Sequence, residues 1–163
     1  MHSGDCFLVP GPVRMSEACL QAMATPVMTA RGPEFRQVMA GLNSGLRYAF
    51  NLSPSKPEMK TQSWTGEDGY RVVVVSGSGT AAMEMVIANR FRSNDLVLVP
   101  TNGKFGERVA DICRQFCNVK HLNYEWGRSF DLYELEQQLE RGCYEALLIC
   151  HNETSTGLSL IHI

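Results

Sequence analysis

The segment from Arg71 to Thr80 carries the most explicit chemistry in the sequence. After the β-branched run Val72–Val75, which is typical of a buried strand, Ser76-Gly77-Ser78-Gly79 predicts a tight turn, and Thr80 begins an amphipathic helix. Backbone N–H groups in the first turn of a helix have no partner within the helix, and the helix dipole favours negative charge there. Glycines let the backbone approach an anion closely, and the hydroxyls of Ser78 and Thr80 add donors. The pattern predicts a phosphate cradle.

The same turn also matches the fingerprint of a dinucleotide-binding site, with Gly77, Gly79 and Ala82 at the G-x-G-x-x-A positions. Such a site needs an acidic residue about 20 positions later, at the end of the next strand, to bind a ribose. The next predicted strand ends in Leu98-Val99-Pro100-Thr101-Asn102, which contains no carboxylate. The sequence therefore favours phosphate binding over dinucleotide binding, and a purely structural role of the glycines stays open.

Strands and helices alternate from residue 71 onward. Four strands are predicted, at Arg71–Val75, Leu96–Val99, Val119–Tyr124 and Ala146–Cys150. Three helices are predicted between them, at Thr80–Arg92, Phe105–Phe116 and Leu132–Arg141, the last capped by Asp131. This alternation indicates an α/β fold with a mainly parallel sheet, in which ligands bind beyond the carboxyl ends of the strands. Three polar loops, at residues 76–80, 101–106 and 151–157, are predicted to share that edge.

Two further helices are predicted before the sheet. Ser16 caps the first, which ends near Ala24, and Pro33 lies in the first turn of the second, which covers residues 34–50. Apolar residues at helical spacing predict the buried face of the second helix: Phe35, Val38, Met39, Leu42 and Leu46. Residues 51–69 are predicted to form a loop. We therefore divide the chain into an N-terminal part, residues 1–70, and an α/β part, residues 71–157.

Composition argues against several classes of function. The 163 residues carry a formal net charge of -2 from mixed signs, which argues against nucleic acid or an anionic membrane as a partner. No apolar run approaches the ~20 residues of a membrane span, and no secretory signal is visible, so a cytoplasmic location is predicted. The six cysteines lack CxxC spacing and are expected to be reduced core thiols. His151 and Glu153 lack a third ligand, so no metal site is predicted.

Four ordered motifs together resemble the class V aminotransferases, enzymes that use pyridoxal 5′-phosphate (PLP) and share the aspartate aminotransferase fold. The motifs are PGPVRMSEACLQAM, SGSGTAAMEMVIAN, TNGKFGERVADIC and CHNETSTG, and the similarity extends over about residues 8–157. The resemblance is strongest to the alanine–glyoxylate, serine–glyoxylate and 2-aminoethylphosphonate transaminases. It implies an incomplete large domain with three α/β/α layers, preceded by a helical segment.

The resemblance also implies roles for individual residues. The residues that would contact PLP lie in the three polar loops: Ser78, Gly79, Thr80, Phe105, Thr154 and Ser155. The first three would hold the phosphate, the aromatic ring would stack on the pyridine ring, and one of the last two would bond to the ring hydroxyl. Gly11 would lie near the substrate entrance, and Arg31 would meet an acidic group of the substrate.

The resemblance implies a homodimeric parent protein that transfers an amino group from a small donor to a 2-oxo acid such as glyoxylate or pyruvate. The family's Schiff-base lysine and the acid that binds the pyridine nitrogen are not found in this chain. No catalytic residue is therefore assigned, and the chain is expected to be an inactive fragment. Because the sequence departs from the family pattern after Gly157, residues 158–163 are predicted to be a tail outside that pattern.

Two other functions stay open. A cysteine desulfurase or related lyase would share the fold, but it needs a cysteine on a mobile loop, where none of the six cysteines is predicted. A phosphate- or nucleotide-binding module without enzymatic activity would need only the SGSGT turn.

Overall fold

The computed structural model describes residues 13–53 and 68–160, which fall into two units that divide between Val75 and Ser76. The first unit contains two helices, α1 (Glu17–Met23) and α2 (Pro33–Ala49). The second contains three helices and five strands: α3 (Gly79–Arg90), β1 (Leu96–Thr101), α4 (Lys104–Phe116), β2 (Asn118–Asn123), α5 (Leu132–Arg141), β3 (Ala146–Leu147), β4 (Asn152–Glu153) and β5 (Leu158–Ser159). The predicted helices are all present, each within about two residues of its expected bounds.

Local signals account for both helices of the first unit. The Ser16 hydroxyl caps α1 by accepting a hydrogen bond from the Cys19 amide at 3.3 Å, and Pro33 occupies the first turn of α2. The apolar stripe predicted to be buried is not fully covered, however, since Val38 is 53% and Leu42 is 40% exposed and the other three residues are half-buried. The buried residues of α2 are Asn43 and Arg47.

Arg47, a buried residue of α2 outside the predicted apolar stripe, bonds to several residues of the segments that follow the helix. Its guanidinium lies 2.8 Å from both carboxylate oxygens of Asp68 and donates to the carbonyls of Tyr70, at 3.0 Å, and Ser53. Asp68 also accepts from the amides of Ser53, at 2.6 Å, and Tyr70, at 2.9 Å. Burial alone raises the pKa of Asp68, but the hydrogen bonds from Tyr70, Arg47 and Ser53 outweigh it and hold the pKa below its ordinary value. The pair fixes residues 51–53 and 68–70 against α2.

The three-stranded sheet of the second unit has the order β2-β1-β3, with all strands parallel. The central strand, β1, is a nearly continuous apolar run, and Val97, Leu98 and Val99 are at most 1% exposed. Because successive side chains of a strand point to opposite faces, Val97 and Val99 pack with Ile87 of α3 and residues of α4, whereas Leu98 packs with Leu135 of α5. Helices therefore cover both faces, which confirms the predicted α/β fold class.

The strand predicted at Arg71–Val75 is the main difference. Only Arg71 forms an isolated bridge, and residues 72–78 have no regular secondary structure. Val73, Val74 and Val75 are 71%, 52% and 58% exposed, so the prediction of a buried strand is wrong for the described chain. The physical reason is that a strand exists only with a neighbour to bond its backbone, and none of the described strands pairs with this run.

The end of the second unit forms a short hairpin. The strand expected at Ala146–Cys150 is shorter than predicted, although the Leu148 amide still donates to the Leu98 carbonyl at 2.9 Å. Beyond it, β4 and β5 pair antiparallel, with Asn152 opposite Ser159 and Glu153 opposite Leu158. Leu158 and Ser159, which belong to the predicted tail, thus pair with residues of the polar loop at 151–157. The division at residue 70 and the tail at 158–163 stay predictions.

Two further points concern the described residues alone. None of their helices is both long enough and apolar enough to cross a bilayer. Five of the six cysteines are described, all as free thiols, and only Cys113 and Cys117 are buried.

Candidate functional site

The N-terminus of α3 is the predicted phosphate cradle. The Ser78 side chain caps the helix by accepting from the Ala81 amide at 3.2 Å, and Gly79 and Thr80 follow as the first helical residues. Within the described parts of the chain, the amides of Gly79 and Thr80 have no acceptor. A Cβ built on Gly79 would meet no atom within 4 Å, so there is room beside this residue. Two amide donors without an acceptor at a helix N-terminus suit an anion.

The N-terminus of α4 is closed by a carboxylate from the β4–β5 hairpin. Glu153 is fully buried, and its Oε2 accepts from the Gly106 amide at 2.8 Å. Its Oε1 accepts from the Phe105 amide at 3.2 Å, from the Ser155 amide at 3.3 Å and from the Ser155 hydroxyl at 2.5 Å. A negative group at this end of the helix also complements the helix dipole. Glu153 thereby joins the loop after β1 to the loop after β3.

The environment of Glu153 favours its charged form. Burial alone raises the pKa of the carboxyl group, but the hydrogen bonds from the Ser155 hydroxyl and from the amides of Gly106, Phe105 and Ser155 outweigh it. The pKa of Glu153 is therefore held below the ordinary value of 4.5.

This lowered pKa predicts a loss of stability in acid. A carboxyl group whose pKa is lower in the folded state stabilises the protein fully above its unfolded pKa, and this contribution is lost as the pH falls through the folded pKa. We expect the free energy of unfolding of the native chain to fall below about pH 4.5, and to fall less steeply in Glu153→Gln. Urea unfolding at pH values from 7 to 3 measures both curves. Parallel curves would show that Glu153 is not linked to folding.

The two hydroxyls expected to bond to a ligand differ in availability. The Ser155 hydroxyl donates to Glu153 and accepts from the Lys104 amide at 2.9 Å, so its hydrogen is already used. Thr154 is exposed, and its hydroxyl has no hydrogen-bond partner within the described ranges. Of the two alternatives, Thr154 is therefore the residue whose hydroxyl is free to donate to a ligand.

Gly103 permits the close approach of the two loops. A Cβ at this position would overlap the Cγ and Cδ atoms of Glu153 and lie 2.9 Å from the Ser155 hydroxyl oxygen. The backbone of Gly103 is extended, with φ at 175°, so the requirement for glycine is one of space and not of conformation. Gly103 lies in the polar loop predicted at residues 101–106, but the reason for a glycine there is a hairpin about 50 residues away in the chain.

Arg108 connects Phe105 with the cradle. Its guanidinium carbon lies 5.2 Å from the centre of the Phe105 ring, and Nη1 donates to the Thr80 hydroxyl at 3.3 Å. Contacts through Arg108 and Glu153 therefore connect Thr80 with Phe105 and Phe105 with the β4–β5 hairpin, although none of the described strands leads into loop 76–80 as the shared sheet edge required. Sequence reasoning missed Arg108, although its i,i+3 spacing from Phe105 on a helix was a usable signal.

The remaining candidates contribute less. Gly11 lies outside the described residues, and Arg31 is an exposed residue of the first unit. The Lys104 side chain pairs with Glu107 at 3.3 Å, and His151 is exposed. Nowhere in residues 13–53 or 68–160 do three potential metal ligands cluster. No sequence signal identified Glu153 as a helix cap, because its partners are adjacent only in the fold.

Comparison with known proteins gives a consistent result. No family model matches the chain. It is 31% identical over 156 residues to the soluble hydrogenase 42 kDa subunit of Anabaena cylindrica, covering 93% of this chain and 37% of that one. It is 28% identical over 152 residues to the (S)-ureidoglycine–glyoxylate transaminase of Bacillus subtilis, covering 93% and 33%. The crystal structure of alanine–glyoxylate aminotransferase from Nostoc sp. matches with a TM-score of 0.69 and 34% identity, covering 93% and 36%.

These matches agree with the motifs and with the fold. The aminotransferases and the hydrogenase subunit align over nearly the whole of this chain. The structural match from Nostoc sp. also shares 34% of its aligned residues with this chain, so the two are similar in sequence as well as in fold. In sequence and in fold, the chain is similar to these aminotransferases, and it spans about a third of their length.

Proposed function

We propose that the chain forms part of a PLP-dependent aminotransferase that transfers an amino group from a small donor to a 2-oxo acid such as glyoxylate or pyruvate. Relatives named as glyoxylate aminotransferases support the reaction class and the acceptor. The observation that carries the proposal is the pair of amides at Gly79 and Thr80, which have no acceptor within the described residues and lie at a helix N-terminus with room beside Gly79.

The residues present fit the cofactor. The amides of Gly79 and Thr80 would hold its phosphate, and the Ser78 and Thr80 hydroxyls keep their hydrogens for the same oxygens, because each only accepts in the present structure. Phe105 would offer one face of its ring to the pyridine ring, and the free hydroxyl of Thr154 would bond to the ring hydroxyl. When bound, PLP acts as an electron sink for the reacting carbon.

The proposal separates binding from catalysis. Of the described lysines, Lys104 pairs through its side chain with Glu107 at 3.3 Å, and Lys120 lies exposed on β2, so neither is assigned a role toward the cofactor. We therefore propose that the chain alone binds the cofactor without transaminase activity. We further propose, on the resemblance alone, that the longer protein is a cytoplasmic homodimer.

Substitution of Gly79 tests the cradle. Gly79→Ala adds a methyl group where the phosphate would lie, so we expect the affinity for pyridoxamine 5′-phosphate to fall about tenfold or more. The stability should hardly change, because the methyl meets no protein atom and alanine suits a helix. Isothermal titration measures the affinity. Pyridoxamine 5′-phosphate is chosen because it has no aldehyde to react with surface lysines.

A matched control uses Gly41→Ala, which adds the same methyl group to open space on α2 and should leave the affinity unchanged. Titrations with ATP and NAD test the alternative of a nucleotide-binding module. Equal affinity of the native chain and Gly79→Ala, or a preference for either nucleotide, would contradict the proposal.

A further inference from the structure

Glu153 touches both loops that the proposed cofactor site needs. One of its oxygens, Oε1, accepts from the Phe105 amide and from both donors of Ser155, while Oε2 accepts from the Gly106 amide. Phe105 would stack on the cofactor, and Thr154 lies between Glu153 and Ser155 in the chain. The carboxylate therefore lies at the junction of an aromatic ring and a free hydroxyl that come from loops 48 residues apart.

We propose that Glu153 is a positioning residue of the cofactor site, whose carboxylate sets the Phe105 ring and the Thr154 hydroxyl at a fixed distance from each other. The inference rests on the proposed function. Glu153 itself is fully buried, so it contacts no ligand directly and acts through the backbone of the residues it holds.

The chemistry of the junction requires a carboxylate. Four donors converge on its two oxygens, and a carboxylate is the side chain that offers acceptors on both. A glutamine of the same shape would keep one acceptor, but its amide nitrogen would face the donor at Gly106. An aspartate would keep the charge but, being one methylene shorter, would reach only one of the two loops in its present position.

The neighbouring residues support the same role. The Ser155 hydroxyl links Glu153 to the Lys104 amide, so the hairpin bonds to three consecutive amides of α4, those of Lys104, Phe105 and Gly106. Gly103 lets the Glu153 side chain pass close to the backbone. An N-cap that only satisfies the first turn of a helix makes one or two such bonds, and the side chains of Ser78 and Asp131 each make one at the N-termini of α3 and α5.

The test compares the native chain with Glu153→Gln and Glu153→Asp, and uses Glu136→Gln on the exposed face of α5 as the control. Amide hydrogen exchange at Phe105, Gly106 and Ser155 measures the junction without any ligand. Titration with pyridoxamine 5′-phosphate measures affinity, and the circular dichroism of the ligand at saturation measures its orientation. The last signal separates positioning from stability, since a cap that only stabilises the fold leaves the saturated complex unchanged.

We expect faster exchange in Glu153→Gln, most of all at Gly106, with an affinity about tenfold lower and an altered dichroism of the saturated ligand. Glu153→Asp should change the dichroism in the same direction, and Glu136→Gln should match the native chain. If Glu153→Gln does not fold, Ser155→Ala, which removes the hydroxyl bridge alone, should show the same changes at smaller size.

Two results would overturn the inference, and they can be told apart. In the first result, the native chain binds the ligand and the Glu153 variants bind it with the same affinity and the same dichroism. This would show that Glu153 only stabilises the fold, and it would leave the proposed function standing. A native chain that does not bind pyridoxamine 5′-phosphate, with exchange still accelerated in Glu153→Gln, would overturn the proposed function and with it the cofactor role of Glu153.

Discussion

Gly103→Ala should lower the free energy of unfolding by about 1–3 kcal/mol, the usual cost of forcing an extra methyl group into a packed site. The new Cβ would overlap the side chain of Glu153, whose atoms are fully buried and cannot move aside freely. The overlap is relieved only if the β4–β5 hairpin moves away from α4. That movement breaks the hydrogen bonds that the Glu153 carboxylate accepts from Phe105 and Gly106. Urea unfolding followed by far-ultraviolet circular dichroism measures the loss.

The control for Gly103→Ala is Gly79→Ala in the same unit. It adds the same group in open space at the first position of α3 and should leave the unfolding midpoint nearly unchanged. The two alanine variants are therefore expected to have different effects: Gly103→Ala reduces stability, and Gly79→Ala reduces cofactor affinity. A Gly103→Ala chain as stable as the native one would show that the hairpin does not dock on α4 as described.

Arg47→Met should give the largest loss of order in the first unit. Methionine keeps much of the length and the apolar stem of the side chain but donates no hydrogen bonds. The carbonyls of Ser53 and Tyr70 would lose the guanidinium as donor, and Asp68 would keep its two amide donors but lose its ion pair. A polar group left without a partner costs more than the bond itself contributed, and Arg47 is only 1% exposed. Hydrogen exchange at residues 51–53 and 68–70 measures the effect.

Arg36→Met is the matched control on the same helix. Arg36 is exposed, and its guanidinium donates one described bond, to the Arg31 carbonyl at 3.2 Å. Because exposed polar contacts contribute little, we expect the urea midpoint to shift at least about twice as far in Arg47→Met as in Arg36→Met. Equal shifts in the two variants would mean that the contacts of Arg47 contribute no more than those of a surface arginine.

The helices were predictable because their signals are local. Asp131 caps α5 by accepting from the Glu134 amide at 3.0 Å, and the bounds of that helix agree with the prediction to the residue. Ser16 and Pro33 marked the start of α1 and α2 in the same way. Each of these residues acts within one turn of chain, so its effect depends little on the rest of the molecule.

The strands show where a local signal is insufficient. Leu96–Val99 and Val72–Val75 are similar apolar runs, yet the first became the buried centre of the sheet, and the second remained irregular and exposed. A run of valines indicates that a segment suits a sheet, but its backbone is bonded only where a partner strand lies beside it. The apolar stripe of α2 is a similar case, since periodicity identifies a face and does not supply a neighbour to cover it.

By itself, the sequence determined the class of the fold, the helices with the caps at Ser16 and Asp131, and the resemblance of its motifs to aminotransferases. It also predicted that a helix begins next to Gly79, because a turn and a helix N-terminus are formed by consecutive residues, and the phosphate cradle at Ser78, Gly79 and Thr80 stays a prediction. Only the tertiary structure decided that Glu153 closes α4, that Thr154 and not Ser155 keeps a free hydroxyl, and that Arg108 reaches Thr80. These contacts join residues far apart in the chain, and the bonding of a side chain depends on which donors and acceptors the fold brings within about 3 Å of it.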